Sequence, residues 1–121
     1  MNTKDFSSWL DDVPISEFSD GAVAIAFNLY EEGDSEWALE VIGTSSFDPD
    51  DSDWACDEIT DFETRTNPFT WEEDSSWESI LEEVKSILTD YLHAGKNADE
   101  LKKFKGIGGG FVDGDMEIVY T

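Results

Sequence analysis

Between Ser75 and Gly95 the apolar residues Trp77, Ile80, Leu81, Val84, Leu88, Tyr91 and Leu92 recur at i, i+3, i+4 and i+7, while Glu82, Glu83, Lys85 and Asp90 take the opposite side. That period predicts one amphipathic helix over about residues 76–94 with a single buried stripe. Ser75, followed three residues later by Glu78, matches a capping box, and Gly95 suits the left-handed residue that closes a helix. Elsewhere the period shortens to two. Ala22–Tyr30 (AVAIAFNLY) alternates small with large side chains, and Trp37–Thr44 (WALEVIGT) follows across the turn-rich EEGDSE, the pattern of a β-hairpin. Trp54, Cys56 and Ile59 alternate as a third strand. Asn67–Trp71 either continues the sheet, at the edge that alone tolerates Pro68, or leads into the helix. Phe111–Tyr120 forms a final strand, opened by the glycines of 106–110 and carrying Asp113-Gly114 as a bulge or tight turn. Residues 4–12 fit a short helix presenting Phe6, Trp9 and Leu10 and ending before Pro14, and Ala98–Lys105 supplies one or two further helical turns. An apolar stripe flanked by alternating segments needs a sheet to lie on. The expected fold is therefore α+β: one domain over 1–121, with an antiparallel sheet of about four to five strands and the main helix on one face.

Composition decides whether so acidic a chain folds at all. Hydrophobic residues make up 39% and aromatics 13% of the 121 residues, which sets it apart from aromatic-poor disordered acidic chains. A domain of this length buries roughly two-thirds of its unfolded surface without staples. The single cysteine, Cys56, excludes an internal disulfide and suits a reducing compartment, where it reads as a small core residue. The opening MNTKDFSSWLDD has no apolar core of signal-peptide length, and no run of about 18 apolar residues occurs. The expectation is a cytoplasmic protein that does not engage membrane.

Charge changes the picture most. Thirty acids against seven bases give a formal charge of −23, and residues 1–84 hold 24 of the acids with only Lys4 and Arg65 as bases. Self-repulsion at that density opposes compaction, and the field repels nucleic acid while attracting basic proteins or divalent cations. The densest stretch is Phe47–Glu63, with eight acids from Asp48 to Glu63 and no base.

Several motifs invite a specific chemistry and fail its spacing. In GIGGG the last position of a dinucleotide fingerprint falls on Phe111, no Lys-Ser or Lys-Thr follows, and the glycines precede a strand rather than a helix. A calcium loop beginning at Asp48 would need Gly at 53 and Glu at 59, where the chain has Asp53 and Ile59. No acid carries a sequence sign of the burial that a catalytic carboxylate needs. His93, near the end of the main helix, suits its C-terminal carbonyls, and Cys56 among acids is a poor nucleophile. No cofactor or metal is expected. Trp9, Trp37, Trp71 and Trp77 read as core, whereas Trp54, ringed by acids, reads as an anchor for a partner.

A small, aromatic-rich, strongly acidic α+β chain without a catalytic constellation resembles the immunity proteins of bacterial polymorphic and contact-dependent toxin systems. The likeness covers size, charge and the order strand meander, helix, glycines, strand, down to the closing segment Gly106-Ile-Gly-Gly-Gly-Phe-Val-Asp-Gly-Asp-Met-Glu-Ile-Val-Tyr120. It implies an antitoxin, not an enzyme, that binds one cognate basic toxin domain, a nuclease or other nucleic-acid-modifying toxin, and occludes its active site or substrate groove. The partner-binding residues expected from the acidic stretch are Asp48, Asp50, Asp51, Asp53, Trp54, Asp57, Glu58 and Asp61, with Glu72, Glu73 and Asp74 as a second patch. The alternatives are a nucleic-acid mimic that inhibits several basic DNA- or RNA-binding proteins and, third, a small enzyme.

Overall fold

The alternation of small and large residues in AVAIAF becomes two faces of one strand in the computed structural model, which describes residues 2–15, 21–60, 67–112 and 114–121. β1 (Ala24–Gly33) and β2 (Glu36–Thr44) form the expected hairpin, with Ala24 opposite Thr44 and Phe27 opposite Val41. Ile25, Phe27 and Leu29 point to one face and Ala24 and Ala26 to the other, as the period of two requires. The tight turn between the strands places Ser35 at φ 62°, a left-handed conformation uncommon outside glycine. The Ser35 carbonyl accepts from the backbone N–H of Glu73 at 2.8 Å, so this turn also holds the second acidic patch.

The described residues form a six-stranded sheet in the order β3 (Glu58–Thr60), β2, β1, β5 (Gly106–Phe111), β6 (Glu117–Tyr120), with a further strand, β4 (Phe69–Glu72), beside β2. β3 and β4 share the outer edge of β2, β3 at its Thr44 end and β4 at its Glu36 end. Pro68 immediately precedes β4 and so stays outside the ladder, consistent with an edge. The α+β class and the packed main helix are as expected; the sheet differs in being mixed. β5 (Gly106–Phe111) runs parallel to β1, because the chain leaves β4, crosses one face through α2 (Trp77–Ala94) and re-enters at the centre. β6 (Glu117–Tyr120) then returns antiparallel to β5 at the far edge.

The glycine passage is a central strand and not its prelude. Alternate glycines face the side of the sheet where Ala24 and Ala26 also lie. A Cβ on Gly106 would run into the Phe47 ring, one on Gly108 would lie 2.7 Å from Met116 Cγ and 2.8 Å from Trp54 Cζ2, and one on Gly110 would lie 2.5 Å from the Asp115 carbonyl oxygen. Small residues thus cut a trough that Phe47, Trp54 and Met116 fill, the second core of the molecule. Asp113, expected in a bulge or turn, lies outside the described residues.

The larger core lies on the opposite face. Ile80, Val84, Ile87, Leu88, Tyr91 and Leu92 of α2 are buried there against Ile25, Phe27, Leu29, Leu39 and Ile107, with Phe6 and Leu10 of α1 (Thr3–Asp11) closing one end. Two details of the helix differ from expectation. Its N-cap is Ser76, whose hydroxyl accepts from the Ser79 N–H at 3.3 Å, while Ser75 donates to Glu73 at 3.1 Å, so there is no Ser75–Glu78 box. Gly95 is extended at φ −69°, ψ 156°, and its lack of a side chain serves instead to admit the Tyr91 ring. The Tyr91 hydroxyl donates to Asp11 Oδ1 at 2.6 Å and accepts from the Asn97 N–H at 3.0 Å. Asn97 Nδ2 donates in turn to the Leu10 and Val13 carbonyls, so α1 is tied to the turn ahead of α3 (Ala98–Leu101). Among the described residues no helix is long and apolar enough to cross a membrane.

Candidate protein-binding surface

Residues 48–57 fold into a braced loop, and the strand expected from Trp54 onward begins only at Glu58. Asp51 accepts from the Asp53 N–H at 3.0 Å and caps a 3-10 turn, Ser52–Cys56, and Asp48 accepts from the Asp50 N–H at 2.9 Å. Aspartates bonding to backbone two residues on compete with strand pairing, which explains why Trp54 and Cys56 turn instead of alternating. The Asp57 carbonyl accepts from the Ser45 N–H at 2.9 Å and its carboxylate from the Ser46 hydroxyl, closing the loop on the end of β2.

Trp54 is the fastener of this loop and not its outward anchor. It is 3% exposed, lies edge-on to Phe47 at a centroid distance of 5.0 Å, and packs into the glycine and alanine trough. A fully buried ring cannot meet a partner, so Trp54 leaves the expected binding set; its burial is what holds the acids outward. Asp48, Asp50, Asp51, Asp53, Asp57 and Glu58 are exposed. Among the described residues Asp48, Asp50, Asp51, Asp53 and Asp57 make no ion pair; the hydrogen bonds of their carboxylates come from backbone N–H groups or a serine. Asp61 lies outside the described residues. Cys56, expected in the core, is exposed at the end of the turn.

The second patch stands at the other end of the same sheet edge. β2 separates the two by its own length, about 26 Å at roughly 3.3 Å per residue. Glu72 and Asp74 are exposed and Glu73 is half-buried. Burial raises the Glu83 carboxyl above its ordinary value, and a hydrogen bond to Glu73 and the charge of Glu73 push the same way. Glu73 lies lower than usual against the effect of burial, with hydrogen bonds from Glu83 and Ser75 among the causes. The two acids thus titrate apart.

Sequence reasoning missed the feature beside this patch. Trp77, expected within the buried stripe, is 55% exposed and Val112 is 49% exposed. They flank a cleft of about 970 Å³ whose walls include Leu29, Leu81 and Phe111 and whose rim carries Glu31, Asp115 and Glu117. Trp77 stands on the first turn of α2 and meets Phe111, the last residue of β5, so the stripe begins beside the end of that strand. A stripe read from sequence shows which residues share a face, and nothing in it shows where the facing sheet stops. Buried Trp37 links the cleft wall to the patch. The Trp37 indole donates to the Glu73 carbonyl at 2.9 Å, and the Trp37 and Trp77 rings both meet Phe111, at 6.0 and 6.1 Å.

One acid is buried after all. Glu40, 2% exposed on the alanine face, accepts from Asn28 Nδ2 at 3.1 Å and from the Tyr30 hydroxyl at 2.5 Å. Donors meet it on its own face of the hairpin, as a structural carboxylate requires. Among the described residues no group of three or more His, Cys, Asp or Glu side chains is placed to hold a metal ion. No protein-family model, no curated protein and no solved structure matches the chain.

Proposed function

We propose that this chain is an immunity protein, a cytoplasmic antitoxin that captures one cognate basic toxin domain and occludes its active site or nucleic-acid groove. The observation that carries the reading is the Asp48–Asp57 loop: five exposed carboxylates without an ion pair among the described residues, on a backbone braced by Trp54, in a chain of charge −23. Charge that folding leaves unspent, on a segment that folding has already ordered, is suited to meeting a cationic surface at small entropic cost. Electrostatic steering of this kind lifts association from about 10⁵–10⁶ to roughly 10⁸–10⁹ M⁻¹s⁻¹ at low salt. Docking then desolvates some of the acids, and truncating a buried, paired carboxylate costs about 2–5 kcal/mol of affinity, whereas a rim acid alters mainly the on-rate.

Co-expression with the toxin domain encoded beside its gene tests this directly. The chain should restore growth, and the D48N/D50N/D51N/D53N variant should associate with that domain at least tenfold more slowly, with a flatter salt dependence. Growth that stays arrested with wild-type chain, or an on-rate indifferent to the four substitutions, would sink the proposal. Capture of several unrelated nucleic-acid-binding proteins with equal affinity would favour the mimic instead.

A further inference from the structure

A compact acidic body gains nothing in solubility from an exposed tryptophan, and Trp77 sits on the first turn of α2 with its ring set edge-on to Phe111 and more than half of its surface open. Across the cleft Val112 is equally open, and Leu81 and Leu29 form apolar walls between them. The rim has one sign. Glu31 and Asp115 are exposed, no base lines the opening among the described residues, and the nearest, Lys85, is held by Glu117 at 2.9 Å. An apolar centre with a charged border is the anatomy of a protein-binding site, and aromatic residues in such centres carry a disproportionate share of affinity.

The occupant follows from charge. A second copy of the chain would bring the same acidic rim and another −23 charges to the contact, so self-association here is opposed. A neutral apolar segment would leave the rim acids desolvated without partners, which is costly. We propose that the cleft takes a basic segment of a partner protein, one apolar side chain seated against Trp77 and Val112 and flanked by arginine or lysine reaching Glu31 and Asp115. An arginine beside Trp77 would gain further from its planar stacking on the ring. This rests on the reading that the partner is cationic but assigns it a contact centred on Trp77 and Val112, residues outside the Asp48–Asp57 loop.

Defined peptides separate the two readings. Three hexapeptides, alternating arginine with leucine, arginine with serine, and glutamate with leucine, are titrated into the folded chain by calorimetry while the indole signals are followed by NMR. The arginine–leucine peptide should bind tightest and shift the Trp77 indole resonance. Trp77→Ala and, on the other wall, Val112→Ser should each weaken it about tenfold, with circular dichroism unchanged for the latter, a residue already half in water. The E31Q/D115N double variant should weaken it and flatten its salt dependence, and D48N/D50N/D51N/D53N should leave the Trp77 shift in place. Equal binding of the arginine–serine peptide, preference for the glutamate–leucine peptide, no binding by any of them, or affinity that ignores both wall substitutions would each overturn the assignment. None of these depends on whether the chain neutralises a toxin.

Discussion

At the residue scale the decisive positions are those where a few atoms determine what can sit above the sheet. Gly108 has nothing to do with backbone freedom, since no described glycine has a positive φ. Its role is to leave room for Trp54 and Met116, which would otherwise lie within 2.8 Å of a side chain. Gly108→Ala should therefore cost about 1–3 kcal/mol in urea unfolding, the usual range for overpacking a filled core, and should loosen the acidic loop that Trp54 fastens. Gly33→Ala is the control: its Cβ would meet nothing closer than a Glu36 carboxylate oxygen at 3.8 Å, so unfolding should shift by no more than a few tenths of a kcal/mol. If both variants lost stability equally, close packing over the glycine strand would not be the reason for its composition.

At the element scale, α1, α2 and α3 are joined by one phenol. Tyr91→Phe would leave the Asn97 N–H without its acceptor and Asp11 without its donor, at a cost of about 1–3 kcal/mol. The same hydroxyl makes stability depend on alkali. Burial first, and the hydrogen bond to Asp11 second, push its ionisation well above the ordinary tyrosine value of about 10. A group raised in the folded state stabilises fully below its unfolded value and ceases to do so as pH climbs toward its folded one. Wild-type stability should therefore decline above about pH 10, and Tyr91→Phe should decline less over the same interval, as read from urea midpoints at about pH 8 and 11. Parallel curves for the two proteins would show that Tyr91 is not the linked group. That tie was invisible in the sequence, because Asp11, Tyr91 and Asn97 come from separate segments that become neighbours only when α2 packs.

For the whole molecule the governing quantity is unspent charge. Among the ion pairs of the described residues, those of Lys85 with Glu82 and Glu117 and of Lys103 with Glu100 lie in the last third of the chain, where most of the bases are. Repulsion in the acid-rich front therefore has little local compensation, and it weakens as the Debye length falls from about 30 Å at 0.01 M salt to under 10 Å above 0.15 M. The thermal midpoint should rise by several degrees between about 0.01 and 0.5 M sodium chloride. A midpoint that fell would mean that attractive pairs, and not repulsion, dominate the field. The same screening should slow capture of a cationic partner, so stability and association should respond to salt in opposite directions.

The helix over 76–94, the hairpin, the edge strand after Pro68 and the acidity of the front were legible in one dimension, because periodicity, turn residues and composition are local properties. Which apolar residues would end up in water was not. Trp54 and Trp77 look alike as letters, one amid acids and one in a stripe. The trough cut by Ala24, Ala26 and Gly108 draws the first inward, and the second stands on the first turn of α2 beside the last residue of β5, where it stays exposed. Local pattern determined the elements and their charge. Only packing, through what the trough admits and where the first turn of α2 falls beside β5, decided where an apolar cleft would open.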